Sequence, residues 1–359
     1  MKVGILTFHW PRNAGALLQA AALRDAVVRL GHTCDVLDYR PAHAKMRTGF
    51  RGLGFQTHFG AAVRQIPGAW RFVRFARRHL SLSRRATSAT GLADLLREYD
   101  AAVVGSDQVW NAVILGDEAE AYTLPAPASL RRIAYAASIG RPDQPADWGA
   151  RLGDPLRNFA RISVRDEVSR AFLQTHAPGI PVAVVCDPIL LELAHAEPPI
   201  APAGDAVVFY GLTENSEHEI AVLSRQIGQR LGRRVVGLAQ KNHLHTGGRI
   251  VRSFGPEQWC QHVARSAFFV TDSFHGALFA LKQRKPFIVV TAAEGFGRWR
   301  LLDLAARYGV RERVVFSAEA ALRDDLWAQA IDFDAIHATL RVDAQRSYAF
   351  LAESLAATA

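Results

Sequence analysis

The sequence is poor in cysteine and has no paired-cysteine motif. Its three cysteines, Cys34, Cys186 and Cys260, are far apart and form no CxxC. That argues against a disulfide framework or a structural zinc site, and it fits a reducing compartment. Long apolar runs are missing too: none reaches the ~18 residues that a membrane-spanning helix needs. The opening MKVGILTF has one lysine and an apolar stretch that stops at His9, Trp10 and Pro11. It is too short for a signal peptide and reads as a first strand. There is no GxGxxG, GxxxxGK[ST], HExxH or GxSxG, so dinucleotide, P-loop, zincin and hydrolase fingerprints are absent. What is present is a chain of 359 residues, 49% hydrophobic and 21% charged. This ordinary globular composition excludes disorder, collagen and coiled coil, and the length allows two domains with a core each.

A more local absence concerns acidic residues. Between 39 and 93 there is no Asp or Glu, while Arg40, Lys45, Arg47, Arg51, Arg64, Arg71, Arg74, Arg77, Arg78, Arg84 and Arg85 all fall there. The rest of the chain carries 32 basic and 34 acidic residues, so the formal charge of +9 belongs to one segment. A uniformly basic protein would suggest a nucleic-acid partner; a single basic insert does not, and none is expected. Within the segment Ala69, Phe72, Val73, Ala76 and Leu80 share one helical face, Arg71, Arg74 and Arg78 share another, and Trp70 and Phe75 flank the apolar side. Such a helix either lies on an anionic membrane, here through residues 63–85, or packs on its own domain with a solvated arginine face.

Elsewhere short apolar runs alternate with helical patterns. Strands are expected at 3–8, 33–37, 101–104, 132–137, 162–164 and 182–185, with helices at 17–30, 92–99 and 166–174. Gly31 is a good helix stop. A proline-bearing stretch with Pro198, Pro199 and Pro202 reads as a linker. The alternation then resumes, with strands at 206–210, 234–238, 268–271 and 287–290, helices at 216–231, 256–265 and 277–284, and a helical tail from 343. The expected fold class is α/β: two Rossmann-like domains whose parallel sheets face a cleft. The expected domains are 1–191 with a basic helical insert at 40–93, a linker at 192–205, a second domain at 206–330 and a tail at 331–359. Ligands of such sheets bind beyond the carboxyl ends of the strands, so the loops there are searched for chemistry.

The sharpest loop is Thr271-Asp272-Ser273-Phe274-His275-Gly276. Asp272 or Ser273 can cap the following helix, whose first N–H groups favour an anion. His275 would exchange a proton there, and Gly276 would admit a ligand close to the backbone. The alternative is a capped helix with a core histidine. The second loop runs from Gly105 through Ser106, Asp107 and Gln108 to Asn111. These groups either bind sugar hydroxyls or form an Asx turn with Asp107 as a cap. Asn13 and Gly15 open the first helix, a position suited to a phosphate or polar ligand. Arg165 either forks onto a carboxylate or phosphate or pairs with Glu167 at the surface. Arg298 and Arg300 either close over a ligand or lie on a solvated helix face. Asp332-Phe333-Asp334 reads as a helix cap rather than a cation site, and His243 with His245 lacks a third metal ligand. No metal is expected.

With these loops in place, the chain resembles the polysaccharide pyruvyl transferase family over residues 1–315. The pieces, in order, are Asn13-Ala14-Gly15-Ala16-Leu17-Leu18-Gln19, GSDQVWN at 105–111, YAASIG at 135–140, SVRDE at 163–167, CDP at 186–188, TDSFHG at 271–276, and Arg298 ahead of LLDL. The resemblance implies two Rossmann-like domains, as in GT-B glycosyltransferases. It also implies transfer of pyruvate from phosphoenolpyruvate onto two hydroxyls of a cell-surface polysaccharide sugar or its lipid-linked precursor, closing a cyclic ketal. Under it, His275 is the general acid and Arg165 contacts phosphate or carboxylate, and the chemistry of hydroxyl attack makes Asp107 the candidate base. Asn13, Gly15, Gly105, Ser106, Gln108, Ser138, Lys241, Ser273, Gly276 and Arg298 bind substrates. Some family members carry Arg two residues before the histidine; Ser273 stands there, and Arg298 or Lys241 would supply the charge. The resemblance calls for no cofactor. It implies a cytoplasmic enzyme of exopolysaccharide synthesis acting on a glycan or lipid-linked oligosaccharide, in contact with the inner membrane face. The competing readings are a glycosyltransferase using a nucleotide sugar on the same architecture and a non-catalytic glycan-binding protein.

Overall fold

Short apolar strands alternating with helices build two six-stranded parallel sheets. The structure, a computed structural model, describes residues 1–10, 12–41, 59–212, 214–239, 248–292 and 297–356. The chain runs β1 (Lys2–Leu6), α1 (Ala14–Arg29), β2 (Thr33–Val36), α2 (Phe59–His79), α3 (Ala89–Leu96), β3 (Ala101–Val104), α4 (Ala112–Leu115), β4 (Arg131–Ala137), α5 (Trp148–Leu156), β5 (Arg161–Val164), α6 (Glu167–His176) and β6 (Val182–Val184). It continues with β7 (Ala206–Tyr210), α7 (Glu214–Leu231), β8 (Arg234–Leu238), β9 (Arg249–Val251), α8 (Pro256–Ala264), β10 (Phe268–Thr271), α9 (Phe274–Lys282), β11 (Phe287–Val290), α10 (Arg298–Arg307), β12 (Val314–Val315), α11 (Ala318–Arg323) and α12 (Phe333–Leu355). The sheet orders are β2-β1-β3-β4-β5-β6 and β12-β11-β10-β7-β8-β9. Strands such as β3 (AAVV) and β10 (FFVT) are buried at every position, as expected where helices cover both faces of a parallel sheet.

The helix ends follow the local sequence. Asn13 Oδ1 accepts from Gly15 N at 3.0 Å at the start of α1, and Gly31, at φ 87°, lies just past its end. Pro256 is the first residue of α8, where its missing N–H costs nothing. Helices α1, α3, α7, α9 and α12 all start earlier than expected. Ser273 caps α9 at Phe274, and Asp332 Oδ1 accepts from Ala335 N at 3.0 Å at the head of α12. The Asp332-Phe333-Asp334 run is therefore a helix start, as its sequence suggests. Strands β9 and β12, of three and two residues, are too short for a pattern to announce them.

The chain divides into two units: 1–51 with 76–196 and 341–359, and 52–75 with 197–340. The first break in the proline-bearing interval therefore falls between Ala196 and Glu197. In unit 1, Trp110 and Trp148 are fully buried. Their indole N–H groups donate to Tyr122 O at 3.0 Å and Trp110 O at 2.9 Å, so each ring stabilises by about 2–3 kcal/mol with no stranded polar atom. Unit 2 has a separate core around Val207, Phe209, Phe268, Val270, Ile288 and Val290.

Candidate active site

In unit 2, β7 pairs with both β8 and β10. The chain leaves β7 toward one side and returns to β10 on the other. The loops beyond the carboxyl ends of β7 and β10 therefore part at a topological switch point, the usual ligand crevice of an open parallel sheet. Thr271 Oγ1 donates to Tyr210 O at 2.7 Å and accepts from Ser273 N at 3.0 Å. Asp272 Oδ1 accepts from Leu212 N at 2.8 Å, tying the two loops together. Ser273 Oγ accepts from Gly276 N at 3.1 Å, so Ser273, not Asp272, is the cap. Burial pushes the Tyr210 phenol well above its ordinary range, with Asp272 adding to the shift.

His275 therefore lies inside the first turn of α9, not ahead of it. It is 5% exposed, with its ring edge-on to Phe274 at 5.4 Å. The helix start beside it carries partial positive charge. Gly276 has a packing reason that the sequence does not show. A Cβ there would sit 2.8 Å from Thr271 Oγ1 and 3.0 Å from Thr271 Cγ2, so glycine lets the helix approach its own strand end. Arg298 opens α10 after Gly297 at φ 94°, and its guanidinium lies 4.5 Å from the Trp299 ring centre. Arg300 reaches over the Phe274 ring at 5.6 Å, which brings a cation beside the residue preceding His275. Lys241, His243 and His245 lie outside the described residues.

Unit 1 presents its own set of strand-end groups. Arg165 follows β5 and is 3% exposed. Its Nη1 bonds Asp187 Oδ2 at 2.8 Å, and its Nη2 is 3.7 Å from Asp107 Oδ1. Arg165 is thus buried rather than on the surface, and Glu167 pairs with Arg170 at 2.6 Å. Asp187 Oδ2 also accepts from Ser106 Oγ at 2.9 Å. Asp107 does not cap a helix. It holds φ 83°, in the left-handed region that costs a non-glycine residue of order 1 kcal/mol, and its Oδ1 accepts from Gln108 N at 2.9 Å. The cap of the short α4 is Asn111, whose Nδ2 donates to Gln108 Oε1 at 2.9 Å. Ser138 is fully buried: its Oγ donates to Asp166 Oδ2 at 2.6 Å and accepts from Gly140 N at 2.9 Å. A Cβ on Gly105 would be 2.9 Å from Thr7 Cβ, so this glycine too serves close packing. Asn13 and Gln108 are only partly buried, whereas Gly15 is buried.

One cluster escaped the sequence reading. His9, past β1, and Asp38, past β2, meet because those strands pair. His9 Nε2 lies 3.0 Å from Asp38 Oδ1, and Nδ1 lies 3.0 Å from Thr7 O. Both ring nitrogens therefore have a close oxygen partner, which fixes the ring plane. Arg40 and Arg85 also donate to Asp38. Burial pushes the Asp38 carboxyl up, but the hydrogen bonds from His9, Arg40 and Arg85 outweigh it and hold the group well below the ordinary carboxylate range. A carboxyl depressed in the folded state contributes stability that is present above its unfolded value, near pH 4, and lost as pH falls. Asp38→Asn is expected to cost about 2–3 kcal/mol at neutral pH and to flatten the acid limb of the stability profile. Thermal unfolding of both proteins across pH 3–7 checks this, and parallel acid limbs would refute it. The signal in the sequence was one polar titratable group just beyond each of two neighbouring strands.

Comparison with known proteins adds the following. The model of the polysaccharide pyruvyl transferase family matches residues 13–293. A comparison with curated proteins gives no match. Among solved structures, the UDP-GlcNAc 2-epimerase from Methanocaldococcus jannaschii is similar at TM-score 0.58 and 10% identity, covering 98% of this chain and 99% of that one. The UDP-N-acetylglucosamine 2-epimerase from Rickettsia bellii is similar at 0.55 and 10%, covering 99% and 96%. Arabidopsis thaliana UGT89C1 complexed with quercetin is similar at 0.53 and 12%, covering 98% of each. At these identities the likeness shows the fold alone, two Rossmann-like domains of the GT-B kind. The family match runs from the cap of α1, through the Arg165 cluster, to beyond the His275 loop. The chain is thus a transferase belonging to the polysaccharide pyruvyl transferase family.

Proposed function

We propose that this protein moves the pyruvyl group of phosphoenolpyruvate onto two hydroxyls of a sugar in a cell-surface polysaccharide or its lipid-linked precursor. The observation that carries the reading is His275 in the first turn of α9, at the switch point of a chain that belongs to this family. His275 gives a proton to C3 of the enol, which leaves C2 electrophilic. One sugar hydroxyl forms a C2–O bond and loses its proton. The C2–O bond to phosphate then breaks, phosphate departs, and the second hydroxyl closes the ketal with loss of its own proton. Two hydroxyls and phosphoenolpyruvate become one ketal and inorganic phosphate, with no redox change and no cofactor in the balance.

The residues divide the work by charge. The start of α9 and the guanidinium groups of Arg298 and Arg300 favour the phosphate and carboxylate of the donor. Lys241, the other candidate cation, is kept in that role on its sequence position alone. Asp107 is the carboxylate assigned to removing the hydroxyl proton. The charge of Arg165 is matched by Asp187, so we assign it to holding the Ser106–Gln108 turn in shape rather than to the donor phosphate. Ser138 supports the same turn through its backbone, donating N–H to Asp107 O at 3.0 Å. Asn13 and Gln108, which keep partial exposure, are the polar groups assigned to the sugar.

The test is to incubate the full chain with phosphoenolpyruvate and a set of polysaccharide fragments. Phosphate release must be coupled to a mass gain on the glycan. Turnover of a nucleotide sugar with no response to phosphoenolpyruvate would replace this reading with a glycosyltransferase. Glycan binding without turnover of either donor would replace it with a binding protein.

A further inference from the structure

The apolar face expected on α2 is not the one the structure leaves outside. Phe72, Phe75 and Ala76 are buried, as is Leu80 just past the helix end. The Phe72 ring meets Phe254 at 6.5 Å between centroids, and Val36 N donates to Leu80 O at 3.3 Å. Val73 does not join them. It is 43% exposed, and Trp70 is 61% exposed. Spaced at i, i+3, i+4 and i+7, Trp70, Val73, Arg74 and Arg77 form one outward stripe, with exposed Arg78 beside it. Other arginines of the segment are engaged: Arg71 donates to Ser253 O, Arg84 pairs with Glu98 and Arg85 with Asp38.

We propose that this outward face of α2 docks the protein on an anionic phospholipid bilayer. The stripe offers an indole and an isopropyl group between guanidinium groups. An indole suits the headgroup boundary, and arginine attracts acidic lipid. The stretch from residue 39 to residue 93 carries no carboxylate of its own. Among the described residues no helix is long and apolar enough to cross a membrane, so the contact is superficial, with side chains entering the boundary region. A nucleic-acid duplex matches the arginines but gives Val73 nothing to bury against, which is why the bilayer is the occupant chosen. The inference does not depend on the reaction proposed above, because it rests on the exposure of α2 alone.

Co-sedimentation of the full chain with vesicles tests it. Wild type is expected to bind phosphatidylcholine vesicles containing phosphatidylglycerol at low salt, to release as salt rises, and to ignore phosphatidylcholine alone. Arg74→Gln with Arg77→Gln should lower partitioning about 10- to 30-fold. Trp70→Ser with Val73→Ser should lower it by about tenfold. Because all four side chains are exposed, both variants should keep the wild-type melting temperature, which separates lost docking from lost folding. Absence of wild-type binding at low salt would overturn the proposal. So would undiminished binding by both double variants, or a DNA duplex held at salt concentrations that release the vesicles.

Discussion

His275→Ala is expected to lower kcat for phosphate release from phosphoenolpyruvate by about 10²–10⁴-fold, the usual contribution of a positioned general acid. The KM for phosphoenolpyruvate should change far less, because the charges assigned to donor binding, at the start of α9 and on Arg298 and Arg300, are untouched. His275 is 5% exposed, so truncation also removes buried contacts. His275→Gln keeps most of the volume and removes the proton donor, and it should be as inactive as the alanine variant while melting close to wild type. Single-turnover phosphate release, read beside thermal unfolding, separates the two effects. Full activity in His275→Gln would remove the histidine from the chemistry, and equal loss of activity and stability in both variants would reduce it to a packing residue.

The second large effect is on stability. Asp187→Ala should destabilise unit 1 by about 3–5 kcal/mol, the range for breaking a buried pair by removing one partner. Three interactions end together. Asp187 holds Arg165 Nη1 at 2.8 Å, accepts from Ser106 Oγ at 2.9 Å and accepts from Ile189 N at 3.1 Å. Both ionic side chains are almost fully buried, at 2% and 0% exposure, so a guanidinium that loses its 2.8 Å partner has little water to turn to. A fall of about 10 °C in melting temperature is the expected reading. Arg165→Met combined with Asp187→Leu should recover much of that loss, since apolar residues of similar size remove both buried charges. A wild-type melting temperature for Asp187→Ala would refute the structural role given to the pair. Activity is expected to stay low in the double variant, because Asp107 loses the guanidinium 3.7 Å away.

Much of the architecture is legible along the chain because its causes are local. Strands β3, β7, β8, β10 and β11 fall on their apolar runs, since a strand buried on both faces needs an unbroken run. Gly31 and Pro256 mark helix ends through backbone geometry that each residue carries with it. The early start of α9 was harder to see. Ser273 and Asp272 are equally good caps in sequence, and the decision lies with Leu212, 60 residues earlier, whose N–H takes the Asp272 carboxylate.

By itself, then, the sequence determined the alternating α/β plan, the loops that carry polar groups at strand ends, and the confinement of excess positive charge to one segment. The tertiary structure decided which of those polar groups are already occupied. Arg165 reads as either an anion-binding residue or a surface partner of Glu167, and only the ordering β3-β4-β5-β6 brings the buried Asp187 beside it. Gly276 reads as a ligand approach, and only the fold shows Thr271 Oγ1 2.8 Å from where its Cβ would stand. Val73 reads as sharing one face with Phe72 and Ala76, but those two are buried and α2 turns Val73 outward with Trp70. The physical reason is common to all three. Periodicity and capping depend on neighbours in sequence, whereas a charge's partner, a glycine's clearance and a helix's outward face depend on which distant segments the strand order places alongside.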